Sequence, residues 1–150
     1  MSPLFRWCLR NIRAAIVAAT ALAHAAAPAQ EVQNVTPTLG GTTEAPLYRV
    51  VNGNHVDAST FKGWQTWRTM ACERCHGANQ EGMVGPSLVE ALKTQSREDF
   101  RRSVLEGSVE KGMPSFGGVQ TVVDNIDNLY AFLKARSDGA IPSGQLKQIP

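Results

Sequence analysis

Three cysteines and three histidines are all that this 150-residue chain contains, which limits the metal and redox chemistry open to it. No stretch alternates apolar and polar residues as a half-buried strand does, and there is no internal repeat. No acid-base pair accompanies the cysteine-histidine cluster, as peroxide chemistry would need. A basic surplus is missing as well once the N-terminus is set aside. Residues 1–13 carry Arg6, Arg10 and Arg13 with no acidic residue, and an Ala-rich apolar run follows that is too short to cross a bilayer. Small-x-small sites at Ala23-His24-Ala25 and Ala27-Pro28-Ala29 complete a secretory signal over residues 1–29, cut after Ala25 or Ala29. An uncleaved anchor is disfavoured because the run is weakly hydrophobic. The expected mature protein is exported, periplasmic and without a membrane span.

Taking the three signal arginines from the fifteen basic residues leaves twelve against thirteen acidic ones. A nucleic-acid role then has no electrostatic support. About 120 residues remain, enough for one modest core. Cys8 and His24 leave with the signal, so Cys72, Cys75, His55 and His76 are the whole thiol and imidazole inventory.

Three of those four stand together in "MACERCHGANQEGMVGPSL", residues 70–88. A structural zinc site would need all four residues, and adjacent Cys75 and His76 converge poorly on one small tetrahedron. A thioredoxin-like pair would want a βαβ setting, which is absent. A disulfide across two residues leaves His76 unexplained. Haem explains all three residues: in C-x-x-C-H the thiols add to the two vinyl groups and the next residue supplies an axial nitrogen. The export signal agrees, since bacterial c-type attachment takes place outside the cytoplasm.

A one-haem carrier needs a second axial ligand from downstream. "EKGMPSFGG", residues 110–118, presents Met113 in an irregular loop shaped by Pro114 and flanking glycines. Met70 is expected in the core. Met83 follows His76 by seven residues, a span of at most about 25 Å, but it would have to round the ring edge at once. Met113 is therefore the expected ligand.

The flanks read as helices. "DASTFKGWQTWRTMA" opens on Asp57 or Ser59 and carries Phe61, Trp64 and Trp67 near one face, with Gly63 as a point of close approach. A short turn or helix, "SLVEALK", follows Pro86. "TQSREDFRRSVLEG" pairs Ser96 with Asp99 as an approximate capping box and stops at Gly107. "DNIDNLYAFLKARSDGA" places Ile126, Leu129, Tyr130 and Leu133 at helical spacing. The expectation is an all-α fold, a few helices around one flat cofactor. Residues 30–55 read as a flexible lead-in whose "LYRVV" packs on the domain, residues 56–138 as the domain, and residues 139–150 as a loose tail. His55 reads as a surface histidine rather than a ligand.

Cys72-x-x-Cys75-His76-Gly77, then "GMVGPSL", "GMPSFG" and a terminal amphipathic helix bearing Tyr130, resemble a class I cytochrome c over residues 56–138. The resemblance implies one covalent haem c on Cys72 and Cys75, His76 and Met113 as iron ligands, and Pro86 beside the imidazole with its carbonyl accepting the ring proton. It also implies that the first and last helices cross through Gly63 and Trp67 against Tyr130. Trp67 lies five residues before Cys72 where four are expected, so either the helix accommodates an extra residue or Trp64 and Met70 share its contact.

More narrowly, "GWQTW", "PSLVEALK" and above all "IDNLYAFLKARSDGAIPSG" are similar to small periplasmic cytochromes that take electrons from pyrroloquinoline quinone (PQQ) alcohol dehydrogenases, including lanthanide-dependent methanol dehydrogenases. That implies such a dehydrogenase as donor and a further cytochrome or terminal oxidase as acceptor. Two rivals use the same haem motif: a haem enzyme or ligand sensor with an open sixth position, and a haem subunit fixed in a larger dehydrogenase complex. An electron carrier without enzymatic activity is preferred because Met113 fills the sixth position.

Overall fold

The structure, a computed structural model, describes residues 46–150; the expected signal at residues 1–29 and the first part of the expected lead-in lie outside the described residues. The chain runs β1 (Val50–Val51), β2 (His55–Val56), α1 (Ala58–Thr69), α2 (Glu73–His76), α3 (Leu88–Ala91), α4 (Arg97–Glu106), a 3₁₀ turn (Val109–Lys111), α5 (Gln120–Asp124), α6 (Ile126–Ser137) and β3 (Lys147–Gln148). The fold is mostly helical, as expected.

Helix α1 begins where Asp57 accepts hydrogen bonds from Thr60 N (3.0 Å) and Thr60 Oγ1 (2.8 Å), which satisfies donors that a helix start leaves open. Burial alone would push the Asp57 carboxyl up, but these bonds, with those from Ser59 and from Arg49 N, hold it below the ordinary aspartate value. The helix stops in a Schellman turn: Cys72 N donates to Trp67 O (3.3 Å) and Ala71 N to Arg68 O (3.1 Å). Ala71 takes the left-handed position usually given to glycine, with φ +52°. This turn absorbs the extra residue between Trp67 and Cys72.

Helix α1 packs chiefly on α6. A Cβ built on Gly63 would lie 1.9 Å from Asn128 O, so the two backbones touch and only glycine fits. The crossing therefore meets Asn128 rather than Tyr130. Trp67 packs on Phe132, with ring centroids 6.2 Å apart, while Tyr130 faces Phe100 at 5.4 Å and donates to Gln95 O at 3.2 Å. The inward face of α6 is filled by Leu129, Phe132 and Leu133, all at most 3% exposed. Ser96 caps α4 by accepting from Asp99 N at 3.1 Å, and Ser87 caps α3 through Glu90 N at 3.3 Å.

The segments before α1 and after α6 correct the sequence reading. β1 pairs antiparallel with β2, Val50 opposite Val56, and β3 lies parallel to β2, Lys147 opposite His55. Tyr48, Val50 and Val56 are buried, as are Ile141 and Leu146. The end of the chain is thus not a loose tail: two apolar side chains dock on the helices, and a small sheet ties them to the lead-in. His55 is half-buried on β2, and its Nδ1 is buried with no hydrogen-bond partner among the described residues.

Candidate functional site

Helix α2 is a single turn, with Cys75 N and His76 N both donating to Cys72 O at 3.2 and 3.1 Å, which sets both thiols and the imidazole on one short scaffold. Neither thiol is bridged; Cys72 is half-buried and Cys75 exposed. Burial, reinforced by the neighbouring Glu73 carboxylate, pushes the Cys72 thiol up to about 11, so it stays protonated at neutral pH. Gly77, at φ +81°, ends the turn.

The loop from Gly77 to Ser87 returns beneath the imidazole. Gly82 N donates to His76 O and Gly85 N to Cys75 O, each at 2.8 Å. A Cβ on Gly85 would lie 2.9 Å from both Cε1 and Nδ1 of His76, so the loop backbone passes close to the ring. His76 Nδ1 stands 3.0 Å from Pro86 O. A carbonyl only accepts, so Nδ1 carries the proton and Nε2 keeps its lone pair for a metal. The Trp67 ring lies beside the imidazole, with centroids 6.4 Å apart.

The three candidate thioethers differ in setting. Met70 is half-buried against the core. Met83 is 68% exposed at a loop tip beside Val84. Met113 is half-buried against the core cluster, in a loop where Ser108 and Met113 exchange backbone bonds of 2.9 and 3.0 Å across a left-handed turn at Gly112. Gly117 N also donates to Leu105 O at 2.9 Å, so the loop hangs from the end of α4.

Two residues that sequence reasoning missed complete the surroundings. Arg136, in the last turn of α6, donates Nε to Gln80 Oε1 (2.6 Å), Nη1 to Ile141 O (2.7 Å) and Nη2 to Asn79 O (3.0 Å). Gln80 is 3% exposed and sits at φ +62°. The signal was present in "LKARSDGA", a charged run closing an apolar helix, but nothing local pairs Arg136 with a residue 56 positions earlier.

The donor set, two free thiols, one imidazole with Nε2 available and one half-buried thioether, fits a covalently attached haem. The comparisons agree. A family model described as "Cytochrome C oxidase, cbb3-type, subunit III" matches residues 58–133. Cytochrome c-555 of Methylococcus capsulatus (strain Bath) is 37% identical over 109 residues, covering 72% of this chain and 84% of that protein. Cytochrome c-553I of Paracoccus denitrificans is 32% identical over 109 residues, covering 68% of this chain and 48% of that longer protein. Among solved structures, the c-type cytochrome XoxG of Methylobacterium extorquens AM1 matches with a TM-score of 0.62 and 25% identity, over 73% of this chain and 77% of that one. The chain belongs to the cytochrome c family, as a small, mostly helical class I member that carries covalent haem c and works as a one-haem electron carrier.

Proposed function

We propose that the protein is a periplasmic carrier of single electrons, with haem tethered through Cys72 and Cys75 and its iron held between His76 Nε2 and Met113 sulfur. The observation that carries the assignment is the His76 ring, engaged at Nδ1 by Pro86 O at 3.0 Å and therefore free at Nε2. When bound, the haem supplies a one-electron couple. The chain's residues do the rest: the Pro86 carbonyl fixes the tautomer and orientation of the imidazole, Gly85 leaves the ring room, and a thioether at the sixth position favours the ferrous state and raises the potential. The half-buried setting of Met113 supports it over Met83, which is 68% exposed.

The donor in this reading is a PQQ-dependent alcohol or methanol dehydrogenase, and the acceptor is another cytochrome or a terminal oxidase. Support comes from the resemblance of residues 126–144. The mature chain is close to neutral, and two haem propionates add roughly −2, so no strong field steers a distant partner. Recognition then rests on a small, short-lived contact. The test has two parts. Acid-acetone treatment of the exported protein should leave haem with the polypeptide, and the mass should equal the mature chain plus one haem; extractable haem contradicts the attachment. Stopped-flow reduction by a purified PQQ alcohol dehydrogenase plus alcohol should be fast and weaken only modestly with salt. Reduction no faster than that of an unrelated cytochrome removes the donor while leaving the carrier.

A further inference from the structure

Arg136 lies at the opposite end of the fold's logic from the haem motif: it is on the last helix and touches neither cysteine nor histidine in any hydrogen bond described above. All three directions of its guanidinium fork are nonetheless used, and two of them reach the loop that follows His76, at Gln80 Oε1 (2.6 Å) and Asn79 O (3.0 Å). Gln80 is the knot of that loop. Its carbonyl accepts from Leu88 N (2.9 Å) and Val89 N (3.2 Å), so residue 80 and the start of α3 are held together. Between those two points the chain must pass Gly85 and Pro86 under the imidazole, within a ring of bonds that also includes Gly82 N to His76 O. A non-glycine residue at φ +62° is disfavoured unless its surroundings fix it, and the half-buried Arg136 fork does so. Only arginine offers such a rigid planar fork.

We infer that Arg136 is a positioning residue for the axial histidine: by clamping Asn79 and Gln80 to α6 it sets where the Pro86 carbonyl meets His76 Nδ1. The inference rests on His76 being the iron ligand. A carbonyl that holds the Nδ1 proton makes the imidazole a stronger donor and stabilises ferric iron. Loosening the clamp should therefore raise the midpoint potential and expose the ring proton.

The experiment uses the haem-loaded protein and three variants. Arg136→Lys keeps the charge and loses the fork. Gln80→Asn withdraws the acceptor by one carbon and tolerates the left-handed backbone, so it reports even if Arg136→Lys fails to accumulate. Lys134→Met breaks the Lys134–Asp138 ion pair in the same turn and serves as the purely structural control. The readouts are the midpoint potential and, by NMR, the rate at which the His76 Nδ1 proton exchanges for deuterium. Arg136→Lys and Gln80→Asn should each raise the potential and speed exchange about tenfold, as loss of support for one hydrogen bond would; Lys134→Met should move neither. If the first two only lower the melting temperature, as the control does, the clamp is merely structural and the inference fails while His76 remains the ligand. If the wild-type protein shows no signal from a ligating imidazole, the ligand assignment falls, and this inference with it.

Discussion

The loop that follows His76 and the loop that carries Met113 face the same proposed cofactor, yet they are secured in different ways. The first is tied back to α2 through Gly82 and Gly85, to α3 through Gln80, and to α6 through Arg136. The second is tied mainly to α4, through Phe116 to Val104 O, Gly117 to Leu105 O and Ser115 Oγ to Leu105 O, and its turn at Gly112 has open space where a side chain would go. The proposed nitrogen ligand is thus fixed from three elements and the loop of the proposed thioether ligand essentially from one. A carrier built this way holds the imidazole rigidly and leaves the sulfur side as the part that yields first.

The largest expected effect comes from removing a tether on the secured side. Cys75→Ala should lose one of the two proposed thioethers and accumulate poorly, because cofactor binding couples to folding; haem-stained gels and intact mass check this. If the variant accumulates normally with haem, the fold does not depend on both attachments.

Glycine substitutions put the comparison on one scale. At Gly85 an alanine Cβ would meet the His76 ring at 2.9 Å, and overpacking of this kind costs about 1–3 kcal/mol. At Gly112 the backbone sits at φ +83° with nothing within 4 Å, so alanine should cost only the left-handed strain, about 1 kcal/mol. Denaturant unfolding of the haem-loaded proteins should rank Gly85→Ala below Gly112→Ala, and only the former should disturb the Soret spectrum. Equal losses would mean that the two loops are equally constrained.

A smaller effect concerns the end of α6 that both the clamp and the tail share. Tyr48 donates to Asp138 Oδ2 at 2.8 Å, and its phenol is pushed well above its ordinary value by burial first, then by that bond and the carboxylate's charge. A raised folded-state value means that the neutral phenol stabilises the fold below the unfolded value near pH ~10 and that this stability is lost as the pH rises above it. Thermal melts from pH 8 upward should show that decline, and Tyr48→Phe should flatten it. A variant that declines as steeply as the wild-type protein would place the alkaline sensitivity elsewhere.

What the sequence made legible is what lies close together along it. "CERCHG" is a short-range pattern whose spacing is set by haem chemistry, Pro86 and "GMPSFG" stood out through the family resemblance, and the amphipathic spacing of α1, α4 and α6 marks the helices. What stayed hidden depends on contacts across the chain. Gly63 was visible as a close-approach residue, but its partner, Asn128 rather than Tyr130, follows from the rotation of two helices about their axes, which no local pattern records. The two-residue strands carry too few positions for alternation to show, although Asn52-Gly53, both at positive φ, is a hairpin signal that could have revealed β1 and β2. The tail looked loose because Ile141 and Leu146 are isolated apolar residues among Pro, Gly and Ser. Arg136 stands in the last turn of α6, where a basic side chain is favourable on its own, and its hold on Gln80 appears only when α6 is laid beside the loop.

The most direct test of the central claim, iron held between His76 and Met113, is the ferric absorption spectrum of the haem-loaded protein beside those of Met113→Ala and Met83→Ala. The expected result is a weak Met-to-ferric charge-transfer band in the wild-type protein and in Met83→Ala, and its loss in Met113→Ala together with a lower midpoint potential, since a thioether favours ferrous iron. A band that survives in Met113→Ala and disappears in Met83→Ala would contradict the account and move the sulfur ligand to the exposed loop tip.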